Sequence, residues 1–196
     1  MIKKLIDFIK IFFTDPRWQK VRAVFWFCLI TVLIHFSWRF WAINLHYFPI
    51  KSGMIIIFDF LVNQVYDQSL WVIKNIFSIK VESVANAMFC ENGAGIMVVE
   101  SCSGVKQIMQ FAILMLIFPG PWKHKLWYIP LGMFIVHLTN IFRISMLVVV
   151  AKHSPENIEY AHDNWLRIMF YVVIFILWLI WVEKIADKKT QMANGH

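Results

Sequence analysis

The chain has 196 residues, of which 60% are hydrophobic and only 16% are charged. A water-soluble domain of this length needs a more polar surface, so the composition excludes that class and indicates an integral membrane protein. The net charge of +7 does not indicate a nucleic-acid-binding protein, because the basic residues flank apolar segments and do not form one polar stretch. The sequence therefore predicts a single all-α membrane domain that contacts the lipid bilayer and no nucleic acid.

The N-terminal part combines a basic segment with an apolar one. Residues 1–20 carry several Lys and Arg side chains, which is typical of an amphipathic cytoplasmic helix lying against the membrane. Residues 21–43 are apolar over the ~20 residues that a membrane span requires, so we expect the first transmembrane helix there. No small-residue cleavage site follows it, so we interpret it as a retained anchor and not as a signal peptide.

The next region, residues 44–101, is more polar. Residues 54–77 are long enough to cross a membrane, but they include Asp59, Asp67 and Lys74. Each charge at mid-bilayer depth costs roughly 2.5–3.5 kcal/mol on insertion scales. We therefore predict an amphipathic helix on the extracytoplasmic surface.

A turn signal follows this helix. Residues 80–101 alternate between apolar and polar types and contain the sequence Glu-Asn-Gly-Ala-Gly. This pattern predicts a β-hairpin with strands near 80–89 and 95–100. Its unpaired backbone groups require it to lie outside the hydrocarbon region.

Three further transmembrane helices are predicted, at residues 103–118, 126–150 and 165–182. The segment 1–20, the loop 122–125 and the tail 183–196 are all basic, and four spans put them on the same side of the membrane. The positive-inside rule makes that side cytoplasmic. The predicted fold is thus a four-transmembrane-helix bundle with both termini in the cytoplasm.

Three chemically active side chains reach the outer face in this topology. Cys102 opens the second span, where unpaired backbone N–H groups and the helix dipole favour a thiolate. Arg143 lies within the third span, and an arginine inside a membrane is a candidate functional residue. His162 precedes the fourth span and is suited to proton transfer beside a thiol.

Further polar side chains extend this group. Asn140 and Arg143 share one face of the third span with His137, and Ser103 and Lys106 begin a matching stripe on the second. The two stripes predict a polar cleft that opens to the outside. A structural hydrogen-bond network between helices is the alternative interpretation.

Other roles for the thiols and imidazoles stay open. A free cysteine is often a small apolar filler, and Cys28 is interpreted in that way. A disulfide between Cys90 and Cys102 is disfavoured, because in the predicted hairpin, at ~3.3 Å per residue, the two lie too far apart for a bridge. His153 competes with His162 for the role of proton carrier.

No cofactor is expected. Three cysteines are too few and too scattered for a Cys-rich metal site or a disulfide framework. The CxxC, HExxH, P-loop and GxGxxG patterns are all absent from the sequence.

The motifs Glu-Ser-Cys-Ser-Gly and Asn-Ile-Phe-Arg, with a histidine before the last span, resemble the exosortase/archaeosortase family over about residues 96–175. In its length the chain resembles the compact bacterial exosortases. The resemblance implies a cysteine transpeptidase of the bacterial inner membrane that cleaves a C-terminal sorting signal from membrane-anchored precursor proteins. It also implies that Cys102 is the nucleophile, Arg143 the stabiliser of the oxyanion and His162 the general acid/base.

Two functions of other classes stay open beside this one. The polar stripes also suit a non-catalytic membrane subunit of an export or surface-assembly complex. A thiol-dependent acyltransferase acting on lipid or polysaccharide is the third hypothesis. The sequence leaves the oligomeric state open.

Overall fold

The computed structural model describes residues 19–44 and 51–186. The chain divides into two units, Met1–His46 and Tyr47–His196. The described residues of the first unit form one helix, which we call α1. Those of the second form four helices of 13 residues or more and a small β-sheet.

Helix α1 is Gln19–Asn44, and its segment Val21–Phe40 is long and apolar enough to cross a membrane. It therefore occupies the position predicted for the first span. The predicted amphipathic segment 1–20 falls mostly on residues 1–18, which lie outside the described part of the chain.

The elements of the second unit are described in chain order. They are α2 (Lys51–Asn75), β1 (Val81–Val84), β2 (Ala87–Cys90), β3 (Gly95–Met97), α3 (Val105–Ile117), α4 (Trp122–His153) and α5 (Leu166–Ile180). A 3₁₀ turn, Glu100–Cys102, precedes α3. Short helical turns join α4 to α5, and they are Pro155–Asn157, Ile158–Tyr160 and the π-turn Ala161–Trp165. A second π-turn, Trp181–Ala186, continues α5.

Helices α3 and α4 run antiparallel and in close contact. Gly104, the N-cap of α3, lies against Asn140, and Phe111 lies against Gly132, about two turns before Asn140 on α4. Because glycine has no side chain, the Phe111 ring sits directly on the α4 backbone.

The opposite end of this hairpin is held by backbone carbonyls. Lys125 Nζ donates to the carbonyl oxygens of Leu116 (2.9 Å) and Phe118 (2.7 Å), which end α3. Tyr128 Oη donates to the Leu177 carbonyl at 2.7 Å and so ties α4 to α5. The two Lys125 contacts satisfy carbonyl groups at the end of α3, where the intrahelical donors are missing.

Three helices in the described ranges are long and apolar enough to span a membrane, so the chain is a multi-pass membrane protein. They are Val21–Phe40, Trp122–His153 and Pro155–Lys184. Helix α3 has 13 residues, a length of about 20 Å against a hydrocarbon core of about 30 Å. The second span predicted at 103–118 is therefore shorter than a full crossing.

Two predicted loops are helical in the structure. The basic loop 122–125 forms the first turn of α4, because Pro121 ends the preceding segment and serves as the N-cap of α4. Lys125 is consequently buried and not solvated. The residues between the last two predicted spans, 151–164, belong largely to the end of α4 and to the short turns that lead into α5.

The β-sheet has three antiparallel strands in the order β1-β2-β3, where two strands were predicted. The predicted strand 80–89 is divided by a tight turn at Ala85, which has a φ of 51°. Asn92, in the turn between β2 and β3, donates to the carbonyl oxygens of Ala151 (2.9 Å) and Lys152 (3.2 Å). The sheet therefore caps the C-terminal end of α4.

Residues 54–77, predicted to form a surface helix, fall in α2, which is not one of the three candidate spans in the described ranges. His137 Nε2 donates to Gln68 Oε1 at 2.9 Å. His137 lies sixteen residues before His153, the end of α4, which is about 24 Å along the helix. Helix α2 therefore packs alongside α4 and does not lie across its outer end.

The polar residues of α2 differ in their surroundings. Gln68 contacts His137 of α4 and Ser69 is buried, whereas Asp59 and Asp67 are exposed. A membrane-insertion cost calculated from sequence treats every polar residue as if it faced lipid. It therefore does not distinguish Gln68, which contacts protein, from Asp59 and Asp67.

The hydrophobic core lies where α2, the sheet and α4 meet. Its best-buried members are Val65, Ile73, Met88, Val98, Ile144, Leu147, Val148 and Ala151. Cys102 belongs to the same cluster. The cysteine predicted to react is therefore set against a packed core and is 7% exposed.

Candidate active site

Cys102 lies in a tight turn before α3 and does not open the helix itself. It is the last residue of the 3₁₀ turn Glu100–Cys102, and its N–H donates to the Val99 carbonyl at 2.7 Å. The buried Ser103 stabilises the turn, because its Oγ donates to the Glu100 carbonyl at 2.6 Å. Cys102 is therefore not at the N-terminus of an α-helix, as predicted, but in a 3₁₀ turn that the Ser103 side chain stabilises.

Asn140 of α4 fixes this turn from outside. Its Nδ2 donates to the Cys102 carbonyl at 2.7 Å, and Asn140 is completely buried. Gly104 has a φ of 77°, and a Cβ at this position would lie 2.9 Å from Asn140 Nδ2. Only glycine satisfies both the left-handed backbone and the close approach without strain. The absence of a side chain at Gly104 thus lets Asn140 approach the Cys-Ser-Gly turn closely enough to bond the Cys102 carbonyl.

Arg143 lies one turn after Asn140 on α4 and contacts His162. Arg143 Nη2 donates to His162 Nε2 at 2.7 Å, and its guanidinium lies 5.7 Å from the centroid of the Phe170 ring. Arg143 is 7% exposed, and its Nε is buried without a hydrogen-bond partner. A buried arginine therefore keeps one unused donor beside the imidazole.

The contact with Arg143 determines the protonation of the imidazole. A guanidinium has only donors, so His162 Nε2 must accept and Nδ1 must carry the proton. His162 Nδ1 accordingly donates to Asp163 Oδ1 at 2.8 Å. Arg167 Nη2 donates to the same oxygen at 2.7 Å. Arg143, His162, Asp163 and Arg167 thus form one continuous polar chain.

Cys102 approaches this chain from the side of α3. A Cys102 thiolate and the Arg143 guanidinium are close enough to interact electrostatically. In the described part of the chain, no hydrogen bond joins Cys102 Sγ to His162. The guanidinium is therefore hydrogen-bonded to the imidazole and within electrostatic range of the thiol, and the thiol and the imidazole are not paired with each other.

Among the candidate proton carriers, His162 and not His153 reaches this group. His153 Nδ1 donates to the Val149 carbonyl of its own helix at 2.9 Å, and its side chain is exposed. Lys106 is half-buried on the first turn of α3 and interacts electrostatically with Arg167. Lys106 therefore belongs to the edge of the charged group.

The other thiols have different surroundings. Cys90 is buried on the sheet, with Sγ 3.9 Å from the Val148 carbonyl. Burial raises the pKa of the Cys90 thiol, while Lys152 opposes the rise and Glu91 adds to it. Cys90 is therefore protonated and enclosed at neutral pH, which is unsuited to a nucleophile.

Asp163 and Arg167 were not identified from the sequence. Their signal was an acid and a base four residues apart, a common pairing on helices. Taken as a surface pair it carries no functional information. Its importance comes from the neighbouring His162, whose partner across the fold, Arg143, is not evident from the sequence. Within residues 19–44 and 51–186, no cluster of His, Cys, Asp and Glu is arranged to hold a metal ion.

Comparison with known proteins identifies the family. A family model described as transmembrane exosortase matches residues 18–179. The match extends over α1, α2 and the sheet, which the motif resemblance at about 96–175 did not cover. No curated protein and no solved structure matches the chain. Since the family model covers most of its length, the chain belongs to the transmembrane exosortase family.

Proposed function

We propose that this chain is a cysteine transpeptidase or peptidase of the bacterial inner membrane that cleaves C-terminal sorting signals of exported proteins at the outer face. One observation carries the proposal. A single face of α4 contacts both partners of the reaction, Asn140 on the Cys102 carbonyl and Arg143 on the His162 imidazole. The three segments that match the family motifs thereby meet at one point.

The proposed reaction is acyl transfer through a thioester. Cys102 Sγ attacks the scissile carbonyl carbon, and its proton passes to His162 Nε2. The carbonyl oxygen becomes an oxyanion, which the guanidinium of Arg143 stabilises in a site shielded from water. His162 then protonates the leaving amine as the C–N bond breaks. An amine or water finally attacks the thioester and releases the product.

Arg143 must change partner during this reaction. In the resting arrangement the lone pair of His162 Nε2 accepts from Arg143 and is not available for a thiol proton. A bound substrate carbonyl offers the guanidinium a second acceptor, and its buried Nε is already without a partner. We propose that substrate binding draws Arg143 from His162 to the carbonyl and so frees the base.

The proposed substrate is itself membrane-anchored. Its hydrophobic helix lies in the bilayer beside the spans, and its basic tail stays in the cytoplasm. The cleavage motif on the extracytoplasmic side of that helix is then presented to Cys102. The enzyme then has both termini in the cytoplasm, with the basic start of α4 on the cytoplasmic side and the sheet outside.

The direct test is the conversion of Cys102 to alanine in cells that produce a tailed precursor. Cys102→Ala should abolish processing, because acyl transfer has no nucleophile without the thiol. Cys28→Ala, the exposed thiol of α1, is the matched control and should process normally. The measurement is the ratio of cleaved to uncleaved precursor.

A covalent intermediate gives the second measurement. Thioester trapping with hydroxylamine should release a peptide ending at the cleavage site. Normal processing by Cys102→Ala would contradict the proposal and favour a non-catalytic subunit. A trapped lipid or sugar acyl group would indicate an acyltransferase.

A further inference from the structure

We propose that Asp163 is a positioning residue that holds His162 in the one tautomer able to accept a proton at Nε2. The inference rests on the proposed function, in which His162 is the general acid/base. Asp163 does not contact the reacting atoms. It acts through the orientation and protonation of the imidazole.

Two independent contacts define the same tautomer. On one side of the ring, Arg143 donates to His162 Nε2 at 2.7 Å, so this nitrogen carries no proton. On the other side, Asp163 Oδ1 lies 2.8 Å from Nδ1 and accepts its proton. When Arg143 moves to a substrate carbonyl, only the Asp163 contact remains to keep the proton on Nδ1.

The local backbone makes this contact possible. Adjacent residues on a regular α-helix do not face each other. His162 and Asp163 lie in the π-turn Ala161–Trp165, and there the carboxylate reaches the ring of the preceding residue. Such single π-turns within helices are frequent at functional sites.

Arg167 holds the carboxylate in place. It donates to the same Asp163 Oδ1 at 2.7 Å from the next turn of the helix. The Asp163 side chain is 48% and the Arg167 side chain 57% exposed. An exposed pair of this kind contributes little to stability. We therefore assign the Arg167 contact a different role, which is to orient Asp163 Oδ1 toward His162.

Removal of the carboxylate should change the imidazole in a measurable way. Without an acceptor at Nδ1, the proton distributes between Nδ1 and Nε2. The Nε2–H form has no lone pair for the Cys102 proton and is inactive as a base. Asp163→Ala should therefore lower kcat at least about 10-fold with little change in KM, since general base catalysis contributes ~10²-fold or more.

The experiment measures tautomer and turnover on the full chain in lipid nanodiscs. ¹⁵N NMR of histidine-labelled protein distinguishes protonated from unprotonated ring nitrogens, and His162→Gln identifies the His162 signals. In the parent chain we expect protonated Nδ1 and unprotonated Nε2. In Asp163→Ala we expect a mixture of the two forms. Glu159→Gln, an exposed acid in the same helical region, is the control and should leave both readings unchanged.

Two results would overturn the inference. The first is a His162 tautomer in Asp163→Ala that equals that of the parent. The second is unchanged kcat despite a changed tautomer. Failure of the proposed function is separable, because it appears as the absence of a trapped thioester in the parent chain, whereas the tautomer is read without turnover.

Discussion

The polar side chains of α4 have specific acceptors in a region where unpaired polar groups are costly. Asn140 is fully buried and donates to the Cys102 carbonyl, and Arg143, one turn later, donates to His162. Removal of one partner from a buried hydrogen bond costs about 1–3 kcal/mol, because the other group stays desolvated. The Asn-x-x-Arg spacing therefore places two donors on one face of α4. Asn140 holds the turn that contains Cys102, and Arg143 holds the His162 imidazole.

Asn140→Ala should therefore disturb the cysteine turn. We expect turnover to fall roughly 10- to 100-fold, which corresponds to about 1.4–2.7 kcal/mol, the usual cost of such a loss. Precursor cleavage by purified enzyme is the measurement. Thr139→Ala is the matched control, because Thr139 Oγ1 only bonds the Ile135 carbonyl of its own helix. Equal rates for both variants would contradict the assigned role of Asn140.

At the scale of elements, the α3–α4 contact determines the depth of the active-site turn. Phe111 packs on the backbone of Gly132, and Gly104 packs on Asn140. These two contacts fix the sliding position of one helix on the other. A shift of one helical turn, about 5.4 Å, would remove Cys102 from Asn140.

Gly132→Ala tests this crossing. The added methyl group overlaps the Phe111 ring, and overpacking of this kind costs about 1–3 kcal/mol. Unfolding in mixed micelles should show that loss of stability, together with reduced turnover. Leu131→Ala, at an exposed neighbouring position, should have a smaller effect on turnover.

Phe111→Leu supplies the complementary change. If the two side chains compete for the same space, the double variant Gly132→Ala, Phe111→Leu should be more stable than the sum of the single effects predicts. Strict additivity would mean that the crossing does not depend on this contact.

At the scale of the whole molecule, α4 is the reference for orientation. Its 32 residues extend about 48 Å, more than the ~30 Å hydrocarbon core. The β-sheet caps its C-terminal end through Asn92, while Lys123 and Lys125 lie at its N-terminal end. The two ends therefore face opposite sides of a membrane that α4 crosses.

Single cysteines placed in a cysteine-free chain should report these sides. Ser83→Cys, exposed on β1, should react with a membrane-impermeant maleimide in spheroplasts. Lys123→Cys, exposed at the start of α4, should react only after permeabilisation. The reverse pattern would contradict the proposed orientation, in which the sheet end of α4 faces the outside.

The sequence alone determined the membrane class, the family motifs and the polar faces, because these depend on composition and on spacing along one helix. Only the tertiary structure determined how segments distant in the chain combine. It showed that α2 packs alongside α4, since the burial of Gln68 depends on a partner sixty-nine residues away. It also joined Arg143 to His162 and His162 to Asp163, which no local pattern specifies. Spacing along one helix reveals which residues share a face. The hydrogen-bond partners of those side chains, and the tautomer of a histidine among them, depend on the segments that the fold packs against that face.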